Sequence, residues 1–473
     1  MNPSPRHRLA LAYIGAAAVP AVLALLALTT TAGLGTPVPP APVIGSGSGG
    51  FDVGRVLVTI VIVVVAAHSG GVLAHLARQP RVVGQAVVGL LLGPSLLGNL
   101  APNLYRWLHA GGSSQAIDLL SQLGVILFVF LIGRELAGGT QRATSGQALV
   151  IGHAMIALPF LCGVLVAALL VDGYRPASVG TLPYALFLGL AMSATALPVL
   201  AHILAERRML TSRIGTLATT CAAVGDATLW CLLAITVCLV HHGSLTNTLL
   251  RAAAALAFTA LMWWAVRPAL RRLSRPGSHA GPGGPVLLLA GLLLCAQVTE
   301  TLGLHAIFGA FLLSLVVPRT SITAQRVTVM AEGLTEWLLL PLFFTAIGSR
   351  THLDLIGGPT TIGLCLAVLA IAMLSKLVAA GSAARAVGLP WRDSAALGVL
   401  MNCRGLTELL ILNVGLTAGI IDARVFACFV VMAVATTALT GPLLTALRVR
   451  APGTDPDGAT PDRTPVSTAS GAA

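Results

Sequence analysis

Two charged residues in this sequence stand where charge is costly. They are Asp226, in the apolar run 213–240, and Lys376, in the apolar run 357–384. A carboxylate at the centre of a membrane-spanning helix costs about 2.5–3.5 kcal/mol on insertion scales, so it needs a partner or a task. Ala222, Ala223 and Ala227 surround Asp226 and leave room for another helix or a small ion to approach. Desolvation raises a carboxyl pKa toward neutrality, and a group so poised can exchange a proton for a cation. The competing reading is a structural aspartate paired with a neighbouring helix. Lys376 is the only lysine in the chain; every other long basic side chain is arginine. An ammonium is a compact charge that can deprotonate when buried, which a guanidinium does not. Ala372, Ala379 and Ala380 lie about one turn away. Snorkelling is the bland alternative, and the position, well inside its segment, argues for function.

Two further stretches carry polar groups inside apolar runs. In Ser193-Ala-Thr195-Ala-Leu-Pro198, the proline cannot donate to residue 194 and frees a carbonyl there. A helix unwound at this point would offer carbonyl and hydroxyl oxygens to a hard cation; a simple kink is the other reading. The stretch holding Asn402, Arg404, Thr407 and Glu408 is unusually polar for a spanning helix. Arg404 and Glu408, at i and i+4, read as an internal ion pair or as a clasp on broken helix ends. His153, His202 and His305 read as packing or hydrogen-bonding residues. The eight cysteines fall in apolar runs with no CxxC or His-paired spacing, and read as small buried hydrophobes.

The elements that must position these residues follow from composition. Of 473 residues, 56% are hydrophobic and 9% charged, against about 25% charged in a soluble domain. Apolar runs recur at 9–31, 53–76, 82–99, 116–136, 146–170, 183–204, 213–240, 248–266, 285–302, 303–317, 334–349, 357–384, 393–416 and 425–447. Most approach the ~20 residues that cross a bilayer as a helix. They are continuous rather than alternating, which excludes a barrel. The chain therefore reads as an all-α polytopic membrane protein. Residues 1–52 form a signal-like or anchor helix and a Gly/Pro/Ser linker, 53–447 the transmembrane domain, and 448–473 a disordered tail. The first run is longer than a usual signal core, which favours a retained helix.

With the amino terminus inside, alternation places Arg78, Arg81, Arg134, Arg207, Arg208, Arg271 and Arg385 among many arginines in cytoplasmic loops. Only Arg55, Arg106, Arg175, Arg251, Arg350 and Arg424 fall outside. This positive-inside bias orients the chain with its carboxyl terminus in the cytoplasm. It also accounts for the net charge of +12 without a nucleic-acid partner.

Three stretches recur at an offset of about 210–225 residues. Gly89-Leu-Leu-Leu-Gly93-Pro94 matches Gly309-Ala-Phe-Leu-Leu-Ser314; Phe130-Leu-Ile-Gly133-Arg134 matches Thr345-Ala-Ile-Gly348-Ser-Arg350; the Thr195 stretch matches the Arg404 stretch. The offset spans seven segments. An odd number inverts the second half in the membrane, as in secondary transporters built from inverted repeats.

These stretches, with His305-Ala-Ile-Phe-Gly309-Ala-Phe, Leu340-Pro-Leu-Phe-Phe and Met401-Asn402-Cys-Arg404-Gly405-Leu-Thr407-Glu408, resemble the monovalent cation:proton antiporter-2 family over roughly residues 53–447. The resemblance implies a sodium/proton exchanger fold of about thirteen core helices. Two of them would be crossed and discontinuous, carrying Thr195 and Arg404, and a panel beside a mobile core would help form a homodimer. It maps the family's ion-binding aspartate onto Asp226 and its core lysine onto Lys376. Thr195 and Ser193 join Asp226 as candidate ion or proton ligands; Arg404, Glu408 and Asn402 join Lys376 as core structural charges and polar groups. Exchange of a monovalent cation (Na⁺ or K⁺) for protons across the cytoplasmic membrane would follow from competition at Asp226. Many members carry two adjacent aspartates, but here the pair reads Gly225-Asp226. Lys376 would then lean on Asp226, sit neutral or find another partner; if it is neutral or structural, one exchangeable carboxylate points to electroneutral exchange.

Two alternatives remain at this stage. A potassium-efflux-type membrane component resembles the same region but usually adds a cytoplasmic nucleotide-binding domain. A non-transporting sensor or scaffold could retain the fold. The GxGxxG string at Gly45–Gly50 lies in a linker without strand or helix around it, so no nucleotide cofactor is expected. No metal-ligand cluster or nucleophile elbow points to an enzyme.

Overall fold

The computed structural model describes residues 51–77, 79–138, 145–169, 171–210, 212–240, 245–273, 283–302, 305–318 and 320–447. The signal-like or anchor helix, the Gly45–Gly50 string and the tail expected to be disordered lie outside the described residues. The described residues contain helices and no strand.

In chain order the helices are α1 (Val53–Leu76), α2 (Arg81–Leu91), α3 (Ser113–Gly138), α4 (Ser145–Leu169), α5 (Thr181–Ser193), α6 (Leu197–Glu206), α7 (Arg213–Val240) and α8 (Leu245–Leu261). There follow α9 (Gly283–Thr301), α10 (Ala306–Val316), α11 (Ile322–Leu334), α12 (Leu340–Arg350), α13 (Pro359–Ala386), α14 (Trp391–Leu400), α15 (Leu406–Thr417) and α16 (Ala423–Ala446). Among the described residues, ten helical stretches are long and apolar enough to cross a bilayer, and α2, α10 and α15 are shorter apolar helices. Counting α5–α6, α11–α12 and α14–α15 as one pass each gives thirteen passes, as the resemblance implies. Asp52 caps α1 by accepting the Arg55 N–H at 3.1 Å, and Asp422 caps α16 through Val425 N–H at 2.8 Å. Both carboxylates sit at the positive end of a helix dipole.

One expected segment begins too late. The run 334–349 is the second half of a longer pass that starts at Ile322 and continues through a π turn, Thr335–Leu339. Its first half is disguised by the polar Gln325, Thr328 and Glu332, which line a cavity.

The helices pack in two groups. α1, α2, α3 and α9–α12 pack mainly on one another; so do α4–α7 and α13–α16. In the first group the repeat motifs meet their opposite numbers. A Cβ on Gly93 of the α2 motif would lie 2.3 Å from Gly348 O on α12, and one on Gly133 of α3 would lie 1.7 Å from Ser314 Oγ on α10. The α2 motif repeats in α10 and the α3 motif in α12, with Gly133 matching Gly348 and Gly93 matching Leu313, the residue before Ser314. The α2–α12 and α3–α10 contacts are therefore images of each other at the level of the helices, and glycine permits both close approaches.

The cysteines need a correction. Cys221, Cys295 and Cys403 are buried free thiols, but Cys162 is half-buried and Cys231 is exposed on the bundle's outer surface, and Cys365 on α13 and Cys428 on α16 form a disulfide with Cα atoms 5.2 Å apart. These are the eleventh and thirteenth passes, so they run in the same direction, and each cysteine sits about two turns into its helix. Residues 63 apart in sequence thus share one depth, which spacing along the chain conceals.

Candidate functional site

The second helix group is organised around two breaks. α5 ends at Ser193 and α6 begins at Leu197, with Pro198 in its first turn. α14 ends at Leu400 and α15 begins at Leu406. The intervening segments cross, and Ala196 N–H donates to Cys403 O at 2.9 Å. Gly405 is held at φ +148°, a conformation that L side chains rarely adopt, and so lets the chain turn into α15.

A broken helix leaves carbonyls without intrahelical donors and a partial negative charge at its carboxyl end. At α5 two basic side chains meet these groups. Arg404 donates from one terminal nitrogen to Ala191 O at 3.0 Å and from the other to Met192 O at 2.6 Å. Lys376, from α13, donates to Ser193 O at 2.6 Å and to Thr195 Oγ1. Glu408 balances Arg404 at 3.0 Å across one helical turn. Thr437 of α16 brackets the backbone of Arg404, with Oγ1 3.0 Å from its N and 2.7 Å from its O. Asn402 donates to Gly398 O at 3.3 Å, along its own helix end.

Asp226 is fully buried on α7, which packs against α5, α6 and α14. Lys376, Arg404, Glu408, Asn402, Ser193 and Thr195 are also 0% exposed. Asp226, Arg404 and Glu408 are all near enough to act on the charge of Lys376. The seven residues singled out from sequence therefore belong to one buried region. What the structure changes is their bonding. Ser193 and Thr195, expected as ion ligands, here accept from Lys376 Nζ through the Ser193 carbonyl and the Thr195 hydroxyl. The Ser193 hydroxyl donates along its own helix to Gly189 O at 2.6 Å. The place of a side chain on Gly225 is taken by Met155 of α4, whose Cε lies 2.5 Å from the Cβ position.

Sequence reasoning missed Thr437 and Met155. Thr437 belongs to a visible cluster, Thr436, Thr437 and Thr440, in an apolar run. Met155 gave no signal, since its role depends on the packing of α4 against α7. Of the histidines, His153 bonds Leu149 O at 2.8 Å, and His202 Nε2 lies 3.1 Å from the Glu206 carboxylate.

A cavity of about 760 Å³ lies between the two groups. It is lined by Arg81 and Arg134 at the arginine-rich face and reaches Pro198 and Leu406, in the first turns of α6 and α15. On the opposite face, Arg350 at the end of α12 bonds Asp118 of α3 at 2.9 Å and Asn413 of α15 at 2.7 Å, tying the groups together.

Residues 60–449 match the family described as sodium/hydrogen exchanger, transmembrane. The chain is 34% identical over 393 residues to the Na⁺/H⁺ antiporter NhaS4 of Synechocystis, covering 82% of this chain and 96% of that protein. It is 32% identical over 379 residues to K⁺/H⁺ antiporter 1 of Saccharomyces cerevisiae, covering 77% of this chain but only 43% of that longer protein. Its fold is similar to that of the sodium proton antiporter MjNhaP1 of Methanocaldococcus jannaschii, with a TM-score of 0.55, 14% identity, and coverage of 84% and 96%. Crossed helix breaks, inverted packing of repeat motifs and a match over residues 60–449 lead to one conclusion: this chain belongs to the sodium/hydrogen exchanger family.

Proposed function

We propose that this chain is a secondary transporter that exchanges a monovalent cation, Na⁺ or K⁺, for protons by alternating access. The observation that carries the reading is Asp226, a fully buried carboxylate on a helix packed against both broken passes, in a member of the exchanger family. Proton and cation compete for this carboxylate, so each turnover carries one or the other and exchange follows without a separate gate. Lys376 donates to Ser193 O and Thr195 Oγ1, so a cation bound through these oxygens competes with the lysine for them. Arg404, Glu408 and Asn402 hold the helix ends in register. The cavity on the arginine-rich face and the Arg350 tie on the other fit a chain open to one side at a time. The arginine distribution supports a cytoplasmic membrane location with the carboxyl terminus inside. A homodimer is part of the proposal, tested by native mass spectrometry in detergent.

Both Na⁺ and K⁺ occur in the names of the relatives, and the site's oxygen ligands suit either. With Met155 packed beside Gly225, the second carboxylate position is filled, which favours one proton per cation. In everted vesicles, addition of Na⁺, K⁺, Li⁺ or Rb⁺ is expected to collapse a preset proton gradient, with no effect of membrane potential. Asp226→Asn is expected to abolish this response. A folded wild type with no response to any cation, or an unchanged response in Asp226→Asn, would sink the proposal and leave the sensor or scaffold reading.

A further inference from the structure

Helix α4 carries a buried proline in mid-span. Pro159 has no N–H, so the carbonyl four residues earlier, that of Met155, lacks its regular helical donor. A backbone oxygen in a water-free interior is costly unless another group meets it. Gly152, Met155, Pro159 and Gly163 recur at three- and four-residue steps, so they form one stripe on α4, and all four are buried. The neighbours of that stripe are fixed by close contacts. A Cβ on Gly152 would lie 3.2 Å from Cys221 O of α7, and the Met155 Cε lies 2.5 Å from where a Cβ on Gly225 would stand, next to Asp226 in sequence. The following carbonyl, Ile156 O, lies 3.2 Å from the Ser193 hydroxyl of α5. A Cβ on Gly163 would lie 2.6 Å from Gly189 Cα, also of α5. Pro159 therefore frees an oxygen on the face of α4 wedged between α7 and α5, at the level of Gly225 and Ser193.

We infer that the main-chain carbonyl of Met155, freed by Pro159, is an oxygen ligand of the transported cation. This inference rests on the transport reading above and extends its ligand set to a third helix. Backbone carbonyls bind Na⁺ and K⁺ by replacing hydration oxygens, and carbonyls released from helical bonding serve this end inside membranes. The Met155 side chain fills the volume that a second carboxylate would take beside Asp226, while its backbone supplies an oxygen on that same side. A carbonyl brings a dipole and no charge. It adds a cation ligand without adding a second exchangeable proton, in keeping with one proton per cation.

The test supplies the missing donor. Pro159→Ala restores an N–H at 159, which bonds Met155 O and withdraws it from the cation. In everted vesicles at pH 8.5 the half-saturating cation concentration is expected to rise about tenfold, the low end of what a charge gains from one hydrogen-bonding dipole, with a maximal rate within about twofold of wild type. The α-hydroxy analogue of alanine incorporated at 159 has the same methyl side chain but no N–H, and is expected to restore the wild-type value. An unchanged value in Pro159→Ala, or an equal rise with the analogue, would overturn the assignment and leave Pro159 as a kink. A second readout leaves Pro159 in place. With isotope labels in the carbonyls of all nine methionines, one amide infrared band is expected to shift on addition of Na⁺ or K⁺. That shifting band should be missing from labelled Met155→Leu, in which the carbonyl at 155 carries no label. No cation-dependent band, or one that persists in Met155→Leu, would overturn the ligand. Absence of exchange in wild-type vesicles, with the band present, would refute transport and leave the carbonyl as a cation ligand.

Discussion

Replacing Arg404 by methionine asks the crossing for two separate things. The guanidinium neutralises Glu408 at 3.0 Å and caps the carbonyls of Ala191 and Met192, and both acidic and basic side chains are 0% exposed. Removing one partner of a buried pair strands the other, at about 3–5 kcal/mol. Each carbonyl left without its donor adds about 1–3 kcal/mol. Arg404→Met is thus expected to be among the most destabilising single substitutions in the chain. Adding Glu408→Leu removes the stranded charge, and a well-packed apolar pair can replace a buried ion pair at little net change. The double variant should then retain only the carbonyl penalty and melt well above Arg404→Met. Tryptophan fluorescence of the detergent-solubilised protein on heating reads this order directly, because Trp230 is buried in the bundle. If the double variant melts at or below the single one, Glu408 is not held by Arg404, and the helix ends are joined by other contacts.

Further outcomes follow from other contacts. Gly225→Asp should lower the melting temperature chiefly by burying a second carboxylate next to Asp226, because the one close neighbour of its Cβ is the terminal Cε of Met155, which can swing aside; adding Met155→Ala should therefore restore little, and full recovery in the double variant would show that the cost is steric. Apparent cation affinity should fall by up to tenfold per unit of pH decrease where one carboxylate serves both ions, and a pH-independent half-saturation concentration would place the proton elsewhere. Mass spectrometry of non-reduced digests should recover the Cys365–Cys428 cross-linked peptide. Cys428→Ser should lower stability by about 4 kcal/mol at most for a loop of this length, and no loss would show that the bond does not constrain the chain.

Some of this was legible without a structure because the bilayer imposes simple rules. Spanning helices must be long, apolar and internally hydrogen-bonded, so the pass count, the arginine-marked face and the exceptional status of Asp226 and Lys376 are local properties of the chain. Glycine motifs at an odd segment offset likewise announce inverted halves. The rule weakens where a helix lines a cavity: the pass beginning at Ile322 was half hidden because Gln325, Thr328 and Glu332 line one.

The sequence by itself determined a membrane-embedded helical bundle and singled out the polar residues that its interior buries. Tertiary structure alone decided what those residues do to one another. Lys376 and Ser193, separated by 183 positions, meet because α13 packs beside the crossing, so the lysine caps a helix end instead of facing a second carboxylate. Arg404 reaches back to Ala191 across 213 positions. Cys365 and Cys428 find the same depth, and His75 finds Glu206 across the group boundary. The reason is common to all four: hydropathy fixes how a segment lies in the bilayer, while the rotation and neighbours of each helix are set by packing between segments far apart in the chain.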